Sequence, residues 1–182
     1  MHGVEFPVCS FDLRSGIFCP KCEDKIRRGE ITEADLKVMR LLMDMEKQIP
    51  QLAGITYKKS VEYNTLLFII FKEGDLSKIP YPQQSNLRKR ISDLTKLQVK
   101  LLEDSKDSNK FLQLLVAPAR IMAVNKIWLP DQTEETRIIL DEERNLKISP
   151  EAAAVVAKQV KGINLRIDFE RRSRGYRRSK TH

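Results

Sequence analysis

Apolar positions along the chain switch between helical and strand periods. Leu36, Met39, Leu42, Met43 and Met45 recur at helical spacing. A helix is expected to start at Thr32, a capping residue, with Asp35 three positions on imitating a capping box. Pro50 closes the segment. Ile55, Tyr57, Val61 and Tyr63 then sit at alternate positions, interrupted by Lys59, and predict a strand. After a turn at Asn64-Thr65, the unbroken run Leu66 to Phe71 predicts a strand covered on both faces. A loop with Gly74, Pro80 and Pro82 leads to a short helix capped by Ser85, with Leu87, Ile91 and Leu94 on one face. Gln98 to Glu103 reads as a third strand.

The same order follows again. Asp107 and Ser108 open a helix through Phe111, Leu112 and Leu115, which Pro118 ends. Ala119 to Leu129 reads as a long strand and Glu135 to Leu140 as its hairpin partner. Ser149-Pro150-Glu151 combines a capping serine, a proline in the first turn and an acid, a strong helix start. Ala152, Val155, Val156 and Val160 form its apolar face, Gly162 ends it, and Ile163 to Phe169 is the final strand. The chain thus spells helix–strand–strand–helix–strand twice, which is an internal duplication. The expected class is α+β, with units at 31–104 and 105–170, a cysteine-bearing module at 1–30 and a tail at 171–182.

Composition bounds the rest. At 182 residues and 41% hydrophobic, the chain can build real cores. It has no run of eighteen apolar residues and no signal-peptide pattern, so a soluble cytoplasmic protein is expected. The net charge of +8 is unevenly spread. The last twelve residues hold Arg171, Arg172, Arg174, Arg177, Arg178 and Lys180 and no carboxylate. Such a tail cannot bury apolar surface, so it is expected to be disordered when free and suited to a polyanion, most simply nucleic acid. Solubility alone is the plainer use of a basic end.

All three cysteines lie in the first module. Cys19-Pro20-Lys21-Cys22 has the spacing of a zinc knuckle, and Cys9 offers a third thiolate. A structural zinc needs four ligands. His2 is the leading candidate for the fourth, with Asp12 and Asp24 as alternatives. The other readings are three free thiols, or a redox pair at Cys19 and Cys22, for which a βαβ context is expected and none is apparent.

The stretches NLRKRISDLTKLQVKLLE, DSNKFLQLLVAPARIMAVNKIWLP and LKISPEAAAVVAKQVKGINLRIDFE resemble the paired KH domains of NusA-type transcription factors, over roughly residues 50 to 170. Ala117-Pro118-Ala119 stands at the family's junction step. With the CPKC segment in front, the chain resembles an archaeal-type NusA-like protein. The resemblance implies two tandem type II KH units and a role in transcription elongation, pausing or termination. KH domains clamp a nucleic-acid backbone with a G-x-x-G loop. Here that place is taken by Tyr81-Pro82-Gln83-Gln84 and by Ser149-Pro150-Glu151-Ala152, without glycine. Proline removes a donor, and Glu151 puts negative charge where phosphate would sit. Arg88, Lys89 and Arg90, with Lys58, Lys59 and Lys96, remain as candidate contacts to single-stranded RNA in the first unit, beside the tail cations.

Enzyme readings fare poorly. No phosphate-binding, dinucleotide-binding or nucleophile-elbow motif occurs, and both histidines lie near the chain ends. A catalytic carboxylate pair cannot be picked out, and no small-molecule substrate or membrane partner is expected. The sequence points to a non-catalytic RNA-binding factor. The alternative is a degenerate KH scaffold that docks on RNA polymerase or a ribosomal or other nucleoprotein complex.

Overall fold

A computed structural model describes residues 3–170. Twelve helices and strands follow in the order α1 (Ser10–Ser15), α2 (Pro20–Arg27), α3 (Glu33–Met45), β1 (Tyr57–Tyr63), β2 (Leu66–Lys72), α4 (Tyr81–Thr95), β3 (Gln98–Asp104), α5 (Ser108–Val116), β4 (Ile121–Trp128), β5 (Glu134–Leu140), α6 (Pro150–Lys161) and β6 (Asn164–Phe169). From α3 onward, the order helix–strand–strand–helix–strand occurs twice. Each half builds its own three-stranded sheet, β1-β2-β3 and β4-β5-β6. In both, the middle strand runs antiparallel to the first and parallel to the third. The fold is mixed α+β. No helix among the described residues is long and apolar enough to cross a membrane.

Local chemistry explains most element ends. Thr32 and Asp35 form a reciprocal capping box on α3. Ser149 accepts the Ala152 amide at the start of α6, Asp107 caps α5, and Gly162 closes α6 at positive φ. The interruption at Lys59 is a register shift between Tyr57 and Lys59. Asn64 turns the first hairpin in the left-handed region, with φ 53°. One expectation fails. α4 begins at Tyr81, four residues before Ser85, with Pro80 as its N-cap. The fixed φ of Pro82 suits the first helical turn, and Ser85 lies inside the helix.

The first sheet is buried on both faces, as the unbroken Leu66 to Phe71 run requires. Leu67, Ile69 and Phe71 join a core with α3, α4 and the N-terminal segment. Phe68, Ile70, Val61 and Leu102 join a second core with α5, α6, Ile138 and Leu140. The helices of the second half therefore lie between the two sheets. The N-terminal segment packs into the first of these cores. Val4, Val8, Leu13 and Cys22 share the core of Met39, Leu42 and Tyr57, and Glu5 pairs beside β1 through Glu5 N to Ile55 O (2.8 Å) and Tyr57 N to Glu5 O (2.9 Å).

The step between the halves is held from two sides. Ala117-Pro118 is cis. Gln113 donates to Ala119 O at 2.9 Å and accepts from Ile121 N at 3.0 Å. Lys100, on β3, donates to Leu115 O at 2.6 Å and Ala117 O at 2.8 Å, at the carbonyl end of α5. Burial pushes the Lys100 ammonium down from 10.5 to about 8. Between those values the unfolded chain binds the proton more tightly than the folded one, so stability rises with pH there. The parent should gain roughly 2–3 kcal/mol on Lys100→Met between pH 7 and pH 10.5. Denaturant unfolding of both proteins across that range checks it, and parallel pH profiles would contradict it.

Candidate metal centre and nucleic-acid surface

Two short turns with the same spacing converge at the N-terminus. Cys9 is the N-cap residue of α1 and Asp12 lies three residues on. Cys19 is the N-cap residue of α2 and Cys22 lies three residues on. A residue at the N-cap and one three positions later fall on the same side of a helix start, so each turn presents two donor atoms to one point. The ligand atoms of Cys9, Asp12, Cys19 and Cys22 all lie within 4.8 Å of one another. All three cysteines are free. Asp12 and Cys22 are buried, Cys19 is half-buried and Cys9 is exposed.

The backbone ties the turns together crosswise. Cys9 N donates to Cys22 Sγ at 3.4 Å, and Cys19 N donates to Asp12 Oδ2 at 3.0 Å. Each turn's first amide thus serves the other turn's second ligand. The Cys19 amide, followed by the nearby thiols, holds the Asp12 carboxyl below its usual range. Burial pushes the Cys22 thiol up to about 12 in the metal-free chain. Three sulfurs and a carboxylate oxygen at these separations match the donor set and number of a tetrahedral zinc site. Of the fourth-ligand candidates, Asp12 is in the cluster. Asp24 is turned to Arg27 in an exposed ion pair. His2 lies outside the described residues.

The candidate RNA contacts fall into separate groups. Arg88, Lys89 and Arg90 are on α4, which packs over β3, whereas Lys58 and Lys59 are on β1 at the other edge of the sheet, where α3 packs. Successive residues on α4 also diverge. Arg88 lies over the Tyr81 ring, 5.7 Å from its centroid. Arg90 turns toward α3 and donates to Gln48 Oε1. Lys89 is exposed, and Lys96 ends the helix at positive φ. None of these six cations is in an ion pair, although nine pairs occur among the described residues. Arg171, Arg172, Arg174, Arg177, Arg178 and Lys180 lie outside the described residues.

The glycine-free turns have their own chemistry. Tyr81 to Gln84 forms the first turn of α4 and is not a loop. Gln84 donates to Leu76 O (2.7 Å) and Ile79 O (2.8 Å), fastening the 3-10 turn Leu76–Lys78 to α4. In the second half, Ser149 Oγ accepts the Ala152 amide at 3.1 Å. That amide is one of the donors a phosphate would need at this helix start.

No protein-family profile matches the chain, and no curated protein matches it. Solved structures do match its fold. One is the crystal structure of APE1850, at 14% identity and a TM-score of 0.53, over 72% of this chain and 96% of that one. At that identity the likeness is one of fold alone.

Proposed function

We propose that the chain is a non-catalytic, NusA-like RNA-binding factor, built from two KH-like units of type II and steadied by a structural zinc at its cysteine module. The observation that carries the reading is the repeated helix–strand–strand–helix–strand unit with its mixed sheet, set in the order the sequence resemblance implies. The unpaired cations of α4 and β1 supply phosphate contacts, and the six tail cations add to them. The glycine-free turns shift the work from backbone amides to these side chains. Base recognition would then be weak and affinity mainly electrostatic.

The test is affinity for a single-stranded RNA as a function of salt. Three proteins are compared: the full chain, a deletion of residues 171–182, and Arg88, Lys89 and Arg90 changed together to alanine. Each phosphate contact contributes a slope of roughly −0.7 on single strands. The deletion should flatten the slope by several contacts, and the triple variant by about one to three. Thermal stability should be nearly unchanged in the deletion.

A second reading has its own support. Trp128 is 71% exposed and Met122 56% exposed, both on edge strand β4, and Leu129 follows at the hairpin tip. Exposed apolar side chains along an edge strand suit a protein partner better than a phosphate chain. A scaffold docking on RNA polymerase or another nucleoprotein becomes the better account if no protein in the series binds RNA.

A further inference from the structure

We propose that Cys9, Asp12, Cys19 and Cys22 hold one zinc ion in a Cys3Asp set, with Asp12 and not His2 as the fourth ligand, and that this ion fastens the N-terminal segment into the core of the first half. The inference rests on the zinc part of the reading above and is independent of RNA binding.

Asp12 is 5% exposed, and among the described residues no cationic side chain pairs with it. Its carboxylate is held ready by the Cys19 amide with its oxygen among three thiol sulfurs, and a cation at the centre of the cluster supplies the counter-charge that no side chain provides. Three of its four donor atoms are thiols, which select a soft or borderline ion such as Zn²⁺ over Mg²⁺ or Ca²⁺. The reciprocal amides of Cys9 and Cys19 orient Cys22 and Asp12, as outer-shell donors do at metal sites. On binding, three S–H bonds break and three Zn–S bonds and one Zn–O bond form. Three protons leave to solvent and nothing is oxidised or reduced.

The structural consequence follows from helix length. α1 has six residues and α2 eight, too short to stand alone in water. One ion would cross-link them. They carry Leu13 and Cys22 into the core of Met39, Leu42 and Tyr57. Arg40 Nε donates to Leu13 O at 3.3 Å, and Lys25 Nζ to Pro7 O at 2.7 Å, between Val4 and α1. Glu5 forms a single parallel bridge with Thr56, just before β1. Metal occupancy therefore reaches α3 and β1.

The full chain, stripped of metal, is titrated with Co²⁺ and then Zn²⁺. One equivalent of each, a tetrahedral cobalt spectrum and release of about three protons per zinc near neutral pH are expected. Asp12→Cys should keep the stoichiometry and raise the thiolate-to-cobalt absorbance by about a third, as three thiolates become four. Asp12→Ala should weaken zinc by at least about tenfold, and His2→Ala should bind like the parent. Hydrogen exchange in α3 and β1 should quicken when the metal is removed. An unchanged cobalt spectrum in Asp12→Cys, metal loss in His2→Ala, no uptake by the parent, or exchange in α3 and β1 indifferent to metal would each overturn the proposal. Zinc uptake by a chain that binds no RNA would overturn the RNA reading and leave this one standing.

Discussion

Asp35→Ala should lower the free energy of unfolding by about 3–5 kcal/mol, because it removes the shared acceptor of a buried network. The Asp35 carboxylate is 1% exposed. One oxygen accepts from the Thr32 amide and hydroxyl, each at 2.8 Å, and closes the capping box of α3. The other accepts from the Tyr57 hydroxyl at 2.5 Å and the Ser60 amide at 2.6 Å, on β1. Ser60 Oγ lies 2.8 Å from the Tyr57 oxygen, within hydrogen-bond reach. Burial, and then the Asp35 charge, hold the Tyr57 hydroxyl far above its usual range, so it stays a donor. Alanine would leave the Thr32 and Ser60 amides without their acceptor and the Tyr57 hydroxyl with Ser60 Oγ alone. Tyr57→Phe removes a donor and its polar oxygen together and should cost only about 1 kcal/mol. Chemical denaturation of the two single variants and the double variant measures the coupling. A loss below about 1 kcal/mol for Asp35→Ala would show that the network contributes little.

Phe111→Ala should cost about 3–5 kcal/mol, by lost burial and by the cavity left behind. Phe111 is fully buried in α5, in the core that joins the two sheets. Lys161 lies over its ring at 5.5 Å and also pairs with Asp104 at the end of β3. The site touches both halves, so the damage should not stay in one. Thermal unfolding of the variant is expected to remain a single transition at lower temperature, read alike by far-ultraviolet circular dichroism and by calorimetry. Two separated transitions would mean that the halves fold independently.

The elements that were legible in the sequence carry their signal locally. Thr32 with Asp35, Ser149 with Pro150, Asn64 and Gly162 each act within a few residues, and the Leu66 to Phe71 run declares burial on both faces. The early start of α4 escaped because Tyr81 to Gln84 has no apolar periodicity, and Ser85 offered a cap four residues late. α1 and α2 span too few turns for a helical period to emerge. The place of Asp12 is written in the repeated spacing, Cys9-x-x-Asp12 beside Cys19-x-x-Cys22, although histidine is the commoner partner of cysteine in structural zinc sites. The pairing of Glu5 with β1 had no signal, since one bridging residue makes no pattern. The spread of Arg88, Lys89 and Arg90 around α4 follows from the helical period itself. Adjacent cations in a helix diverge, whereas a run of them in the sequence looks like one patch.

A repeated element order invites a cut between residues 104 and 105, as if either half could be expressed alone. Such a cut would uncover Val61, Phe68, Ile70 and Leu102 together on one side of a three-stranded sheet, a sticky apolar surface prone to self-association. The helices that roof the first half's sheet belong to the second half, so each half depends on the other to keep its apolar side chains from water.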